Sequence, residues 1–92
     1  MSARRVIVIG DKTTHGGTVL QGSQTMTAGG TGGKSVARQG DLVSCPKCKG
    51  NFPIIEGSSI MLANGRGIAL EGMKTACGAE LIASQSMMKA KA

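Results

Sequence analysis

Aromatic residues are almost absent from this sequence: it has no tryptophan, no tyrosine and one phenylalanine, Phe52. Proteins that bind single-stranded nucleic acid without sequence preference stack bases on aromatic side chains, and this chain has almost none to offer. No apolar run approaches the length of a membrane-spanning helix. Val6-Ile7-Val8-Ile9, behind Arg4 and Arg5, is too short for a signal-peptide core, and no small-residue cleavage site follows it. The expectation is a chain made and kept, at least at first, in the cytoplasm. Cysteine is scarce and odd in number, so the three thiols cannot all pair, and Cys45-Pro46-Lys47-Cys48 belongs where thiols stay reduced. The only histidine is His15, which leaves little from which to build a Ser-His-acid triad. Gly29 to Gly33 is glycine-rich but lacks the spacing of a phosphate-binding loop, and no helical pattern follows it.

Glycine and positive charge are plentiful instead. The chain has 92 residues, 15 of them glycine, and a formal charge of +6. Its basic residues are scattered from Arg4 to Lys91 and read as a solvated surface rather than a nucleic-acid patch. This length makes one small domain, taken as residues 1–92, whose limited core calls for a staple.

A phrase that occurs three times supplies the plan. It reads Gly10-Asp11-Lys12-Thr13-Thr14-His15, then Gly40-Asp41-Leu42-Val43-Ser44-Cys45, then Gly72-Met73-Lys74-Thr75-Ala76-Cys77. The glycines are 30 and then 32 residues apart, a period that marks a repeated supersecondary unit. In each copy the residue five positions after the glycine can bind a soft or borderline metal. Around the phrase the sequence reads as short strands. Arg5 to Ile9 and Lys34 to Arg38 are candidate strands, as are Gln24 to Thr27, Ser59 to Leu62 and Gly67 to Leu70. Asn64-Gly65 signals a tight hairpin, Cys45 to Asn51 reads as a loop, and Asp11 and Asp41 read as turn formers bonding nearby backbone N–H groups. The fold class expected is all-β, with short strands and hairpins in a pseudo-three-fold arrangement.

The third copy matches the first only from Glu80 to Met87 and lacks a returning strand. Arg5 to Asp11 aligns with Ser35 to Asp41, so the N-terminal strand can complete it and close the repeats into a ring. Closure removes exposed strand edges. It also brings the equivalent residues His15, Cys45 and Cys77 toward one point, with Cys48 three residues past Cys45 as a fourth ligand. One nitrogen and three sulfurs suit one tetrahedral structural zinc per chain. Four protein ligands leave the metal no open position for a reacting water, so no enzyme is expected. Three thiolates and Zn²⁺ sum to −1, so a chain of formal charge +6 stays basic when loaded. Lys47, Lys49 and Lys74 lie near the ligands in sequence.

The residues Val6-Ile7-Val8-Ile9-Gly10-Asp11, His15-Gly16-Gly17 and Ser35-Val36-Ala37-Arg38-Gln39-Gly40-Asp41 resemble a PAAR-repeat protein. The resemblance runs from Arg5 to Met88, nearly the whole of the sequence, which implies no extension or added effector domain. Of the Pro-Ala-Ala-Arg that names the family, this chain keeps Ala37-Arg38 and carries Ser35 and Val36 before them. The resemblance implies a sharp cone of short strands with zinc near its tip. Such a cone sits on the blunt end of the trimeric VgrG spike of a bacterial type VI secretion system, one copy per trimer. It implies a structural role in sharpening the spike, transient contact with the target-cell membrane, attachment of effector proteins, and export to the extracellular space or target cell. No nucleic acid is expected as a partner.

Two other readings remain open at this stage. A small zinc-ribbon-like nucleic-acid module would share the CxxC and the charge but normally offers a second close ligand pair; here that pair would be His15 and Cys77. A thiol-disulfide oxidoreductase would need a helix starting at Cys45. Aligned on Ser23, Ser58 and Ser84, the repeats also place Met26, Met61 and Met87 at equivalent positions. These are candidates either for the core or for a surface that binds the spike.

Overall fold

Three segments with the same pattern, Val6-Ile7-Val8, Val36-Ala37-Arg38 and Ile68-Ala69-Leu70, bond to one another in a cycle. In the computed structural model, which describes residues 4–23, 26–28, 34–84 and 89–90, the amide of Ala37 donates to the carbonyl of Ile7 at 2.8 Å. The amide of Ile7 donates to the carbonyl of Ala69 at 2.9 Å, and that of Ala69 to the carbonyl of Ala37 at 2.8 Å. The bridges Val6–Leu70, Val8–Val36 and Arg38–Ile68 complete the triangle. Each segment therefore serves two partners, changing from one to the other at its middle residue.

That division explains why the strand expected over Arg5 to Ile9 is not a continuous ladder. Only β1 (Arg4–Arg5) is a ladder there, and Val6 and Val8 make single bridges to different neighbours. The strand expected over Ser59 to Leu62 is likewise shorter, because Ser59 and Ile60 form a bend before β7 (Leu62–Ala63).

Two hairpins feed the central segments. β3 (Thr27–Ala28) pairs with β4 (Lys34–Ser35), and β7 pairs with β8 (Arg66–Gly67). β1 pairs antiparallel with β10 (Lys89–Ala90), Arg4 facing Ala90 and Arg5 facing Lys89. This third pair occupies the same place as the two hairpins but joins opposite ends of the sequence. The ring inferred from the repeats is thus closed. Gln24, Thr25, Gly29 to Gly33 and Met87 lie outside the described residues.

Each central segment ends in a glycine turn. Gly10, Gly40 and Gly72 have φ of 90°, 93° and 89°, a region that L side chains enter at a cost. Asp11 and Asp41 fix the first two turns by accepting from the amides of Val8 (2.9 Å) and Arg38 (2.7 Å). In the third turn, the sulfur of Met73 stands 3.3 Å from the amide of Leu70 in the same role.

Beyond the turns a second cycle forms. Val19 bridges Val43, Ile54 bridges Thr75, and Thr13 of β2 (Lys12–Thr13) faces Leu81 of β9 (Leu81–Ile82). β5 (Leu42–Cys45) and β6 (Gly50–Pro53) pair over four residues, the longest ladder among the described residues. The core is the inner lining of both cycles: Val6, Ile7, Val8, Val36, Ala37, Ile68, Ala69 and Leu70 from the first, Val19, Val43, Ile54 and Leu81 from the second. No helix occurs among the described residues. Met26 and Met61 are partly buried and pack against this core.

Candidate metal centre

The ends of the three phrases make the site. Lys12 bridges Thr18 and Lys74 bridges Glu80, so in the first and third repeats five residues span the turn. The turns are alike: Thr13 N donates to Gly17 O (3.2 Å) and Gly16 N to Thr13 O (3.0 Å), just as Thr75 N donates to Ala79 O (2.9 Å) and Gly78 N to Thr75 O (3.0 Å). His15 and Cys77 hold the same place in them. A Cβ on Gly17 would overlap the carbonyl oxygen of Ser44, so only glycine lets repeat one approach repeat two this closely.

In the second repeat Leu42 faces Pro53, so ten residues span the same gap. The added length becomes the β5–β6 hairpin, closed by the turn Pro46 to Lys49, with Lys49 at φ 57°. The loop expected over Cys45 to Asn51 is thus a four-residue turn, Pro46 to Lys49, with strand at both ends: Cys45 ends β5, Gly50 and Asn51 begin β6, and Cys48 rides on the turn. The insertion lets this repeat present two sulfurs where its sisters present one ligand each.

The four side chains meet. One donor atom from each of His15, Cys45, Cys48 and Cys77 lies within 4.8 Å of every other. His15 Nδ1 is 3.6 Å from Cys45 Sγ and 3.8 Å from Cys77 Sγ. Ligands about 2.0–2.3 Å from a tetrahedral centre stand roughly 3.5–3.8 Å apart, so the measured pairs suit a single ion with little rearrangement. The three cysteines are unpaired, with Cys45 buried, Cys77 partly buried and Cys48 exposed. These four residues could hold a metal ion.

The electrostatics of the cluster divide the thiols. Burial pushes the Cys77 thiol up, but hydrogen bonds from Thr75, Cys45, the backbone at Ala79 and His15 together outweigh it and bring its pKa down to about 6. Cys48 moves the other way, to about 11, chiefly through its hydrogen bond with Cys45, then desolvation and its bond with Cys77. Without a metal the cluster thus favours a thiolate at Cys77 that its neighbours share by hydrogen bonding.

Sequence reasoning missed the groups that orient these ligands. The hydroxyl of Thr75, fully buried, lies 3.1 Å from Cys77 Sγ. Thr13 Oγ1 accepts from the amides of His15 (3.3 Å) and Gly17 (3.0 Å). The signal was available: both threonines stand three residues after their turn glycine, where the second copy has Val43. Lys47, Lys49 and Lys74 are exposed near the site. Of the three methionines considered for a partner surface, Met26 and Met61 lie against the core and Met87 is outside the described residues.

A family model described as the PAAR motif matches residues 9–83, a span that includes all four clustered ligands. No curated protein matches the chain at significant similarity.

Proposed function

The chain belongs to the PAAR-motif family, known from the spike tips of type VI secretion machines, and from that premise we propose that it caps and sharpens a trimeric VgrG spike, one copy per trimer. The observation that carries this reading is the cyclic hydrogen bonding of Ile7, Ala37 and Ala69. A monomer with three near-equivalent faces is what one copy needs in order to seat on a three-fold end without leaving one subunit unmatched. Conventional homo-oligomeric capping would need three chains.

The metal we assign to the site is zinc, held by His15, Cys45, Cys48 and Cys77. Three thiolates and an imidazole favour a borderline-soft ion over hard cations, and zinc adds no redox chemistry. When bound, it would cross-link all three repeats. Four protein ligands fill its coordination, so the role is structural and the protein is not an enzyme in this reading. Thr75 and Thr13 orient the ligands, as outer-shell partners do in metal sites generally. Rigidity at a place where few side chains can be buried is what such a cross-link contributes. Export with the spike, passing contact with a target membrane and carriage of effector proteins follow from the same reading.

Native mass spectrometry of the chain mixed with the spike trimer of its own secretion system tests the assignment. One chain per three spike subunits is expected. Three chains per trimer, or no complex at micromolar concentrations, would refute it.

A further inference from the structure

The three-fold pattern is broken in one place that no metal or capping role requires. A cleft of about 680 Å³ opens between the first and second repeats, lined by Ile9, Gln21, Ser35, Arg38, Asp41 and Asn64, with Gly22 and Arg66 closing its sides. The Asp41 carboxylate, buried, is met by two guanidinium groups. Arg38 is bound to it through Nε and Nη2, both at 3.0 Å, while Arg66 Nη2 stands 3.7 Å away, beyond hydrogen-bond reach.

The two arginines differ in what remains to them. Arg38 is committed on every side: besides Asp41 it donates to Asn64 Oδ1 at 3.0 Å and to the carbonyl of Gly22 at 3.4 Å. Arg66 leans over the Gly40 turn with nearly half its side chain in solvent. Two positive groups against one carboxylate leave one positive charge in the cleft, on the arginine with donors to spare. Gln21 adds a second donor, because its Oε1 already accepts from the amide of Leu42 and its NH₂ is left to donate.

The sister positions carry no such set. Arg4, two residues before Val6 as Arg66 is before Ile68, lies over the Gly72 turn. There Met73 replaces Asp41, Leu70 replaces Arg38, and Glu56 replaces Gln21. At the third junction Lys34 lies over the Gly10 turn, with Val8 at the place of Arg38 and Asp11 bonded to Ser84. One cationic, donor-lined cleft on a pseudo-three-fold body is a place for a single partner, not for a symmetric trimer.

We propose that this cleft binds a carboxylate-bearing segment of a partner protein, with Arg66 as the charged anchor, Gln21 as a second donor and the Arg38–Asp41 pair as the rigid floor. A planar guanidinium with free N–H groups suits a carboxylate in bidentate geometry. The volume accommodates a few residues of extended peptide. Nucleic acid fits less well, since the cleft has one net charge and no stacking surface. The inference rests on the cleft alone and would survive failure of the spike reading.

The pseudo-symmetry provides its own control. With the full, metal-loaded chain, the probe is a fluorescein-labelled acetyl-Gly-Asp-Glu-Asp-Gly-amide, read by anisotropy at two salt concentrations, beside its Asn/Gln counterpart and a single-stranded oligonucleotide. The acidic peptide should bind and the amide peptide should bind at least tenfold more weakly. Arg66→Gln should weaken binding at least tenfold, whereas Arg4→Gln, which removes the same charge from a sister position, should change it less than threefold. Amide shifts in the wild-type chain should cluster at Ile9, Gln21, Ser35 and Arg66, a readout that needs no variant to fold. Equal losses from Arg66→Gln and Arg4→Gln, shifts spread over all three junctions, tighter binding of the oligonucleotide, or no binding at millimolar peptide would each overturn the proposal.

Discussion

At the scale of single residues, the site depends on side chains that are not among its four candidate ligands. Thr75 holds a hydroxyl 3.1 Å from Cys77 Sγ in a fully buried position, so its loss leaves a sulfur charge without its nearest donor. Thr75→Val should reduce metal affinity about 10–100-fold, measured by competition with a chromophoric chelator, and Thr75→Ser should restore most of it. In the metal-free chain the same Val variant should raise the Cys77 pKa above about 6, seen as slower alkylation of that thiol at neutral pH. The inner cycle is equally exacting. Ile7, Ala37 and Ala69 are all fully buried, one large residue with two small ones. Ala69→Leu should overpack and cost about 1–3 kcal/mol, and Ile7→Ala should leave a cavity costing about 2–5 kcal/mol. Chemical denaturation of the protein checks both. The sequence announced three of the candidate ligands because His15, Cys45 and Cys77 each stand five residues after a turn glycine, and Cys48 by its place three residues past Cys45. It did not announce the cleft, because Arg66 lies 25 residues from Asp41 and meets it only when the segment of Arg38 pairs with that of Ile68.

At the scale of elements, short pieces do the work usually given to long strands. The legible part was the periodicity: Asn64-Gly65 forms the turn of β7–β8 with φ of 54° and 79°, as the dipeptide signals. Less legible were the strand lengths. A segment such as Val6-Ile7-Val8 is β-branched throughout, but three-fold closure divides its bonds between two neighbours, so propensity overstates the ladder. The second repeat's hairpin was also read as a loop, because Gly50 and Asn51 are poor strand formers held in β6 by their partners across the hairpin, Cys45 and Ser44. Two consequences can be measured. Gly65→Ala places a Cβ in open space but in a left-handed conformation, so the cost is backbone strain of about 1–2 kcal/mol. For a domain this size that is a fall in Tm of about 4–8 °C per kcal/mol. Deletion of residues 1–9 removes β1 and two of the three bonds around the inner cycle, and should abolish the folded NMR spectrum altogether.

At the scale of the whole molecule, the core is small and the proposed closing element is chemical. The buried lining of the two cycles contains no aromatic residue, and chains of this size hold only a few kcal/mol of stability from burial alone. A metal bound by residues of all three repeats would tie together parts that packing holds weakly, and its binding free energy would become folding free energy. Acid should undo this. In the metal-free chain Cys77, depressed to about 6 from an ordinary 9.0, stabilises the fold in full above the ordinary value and progressively loses that contribution as pH falls from there through about 6. Protons would also compete with a metal for every thiolate, so Tm of the metal-loaded protein should fall as the pH is lowered into the acid range. Elemental analysis of the purified chain, paired with thermal melting before and after treatment with a strong chelator, is the most direct test of this dependence. The account predicts one zinc ion per chain and a melting transition that collapses by about 20 °C or more when the ion is removed, in keeping with a structural site that supplies folding energy. A chain that carries no stoichiometric metal, and melts at the same temperature with and without chelator, would contradict it.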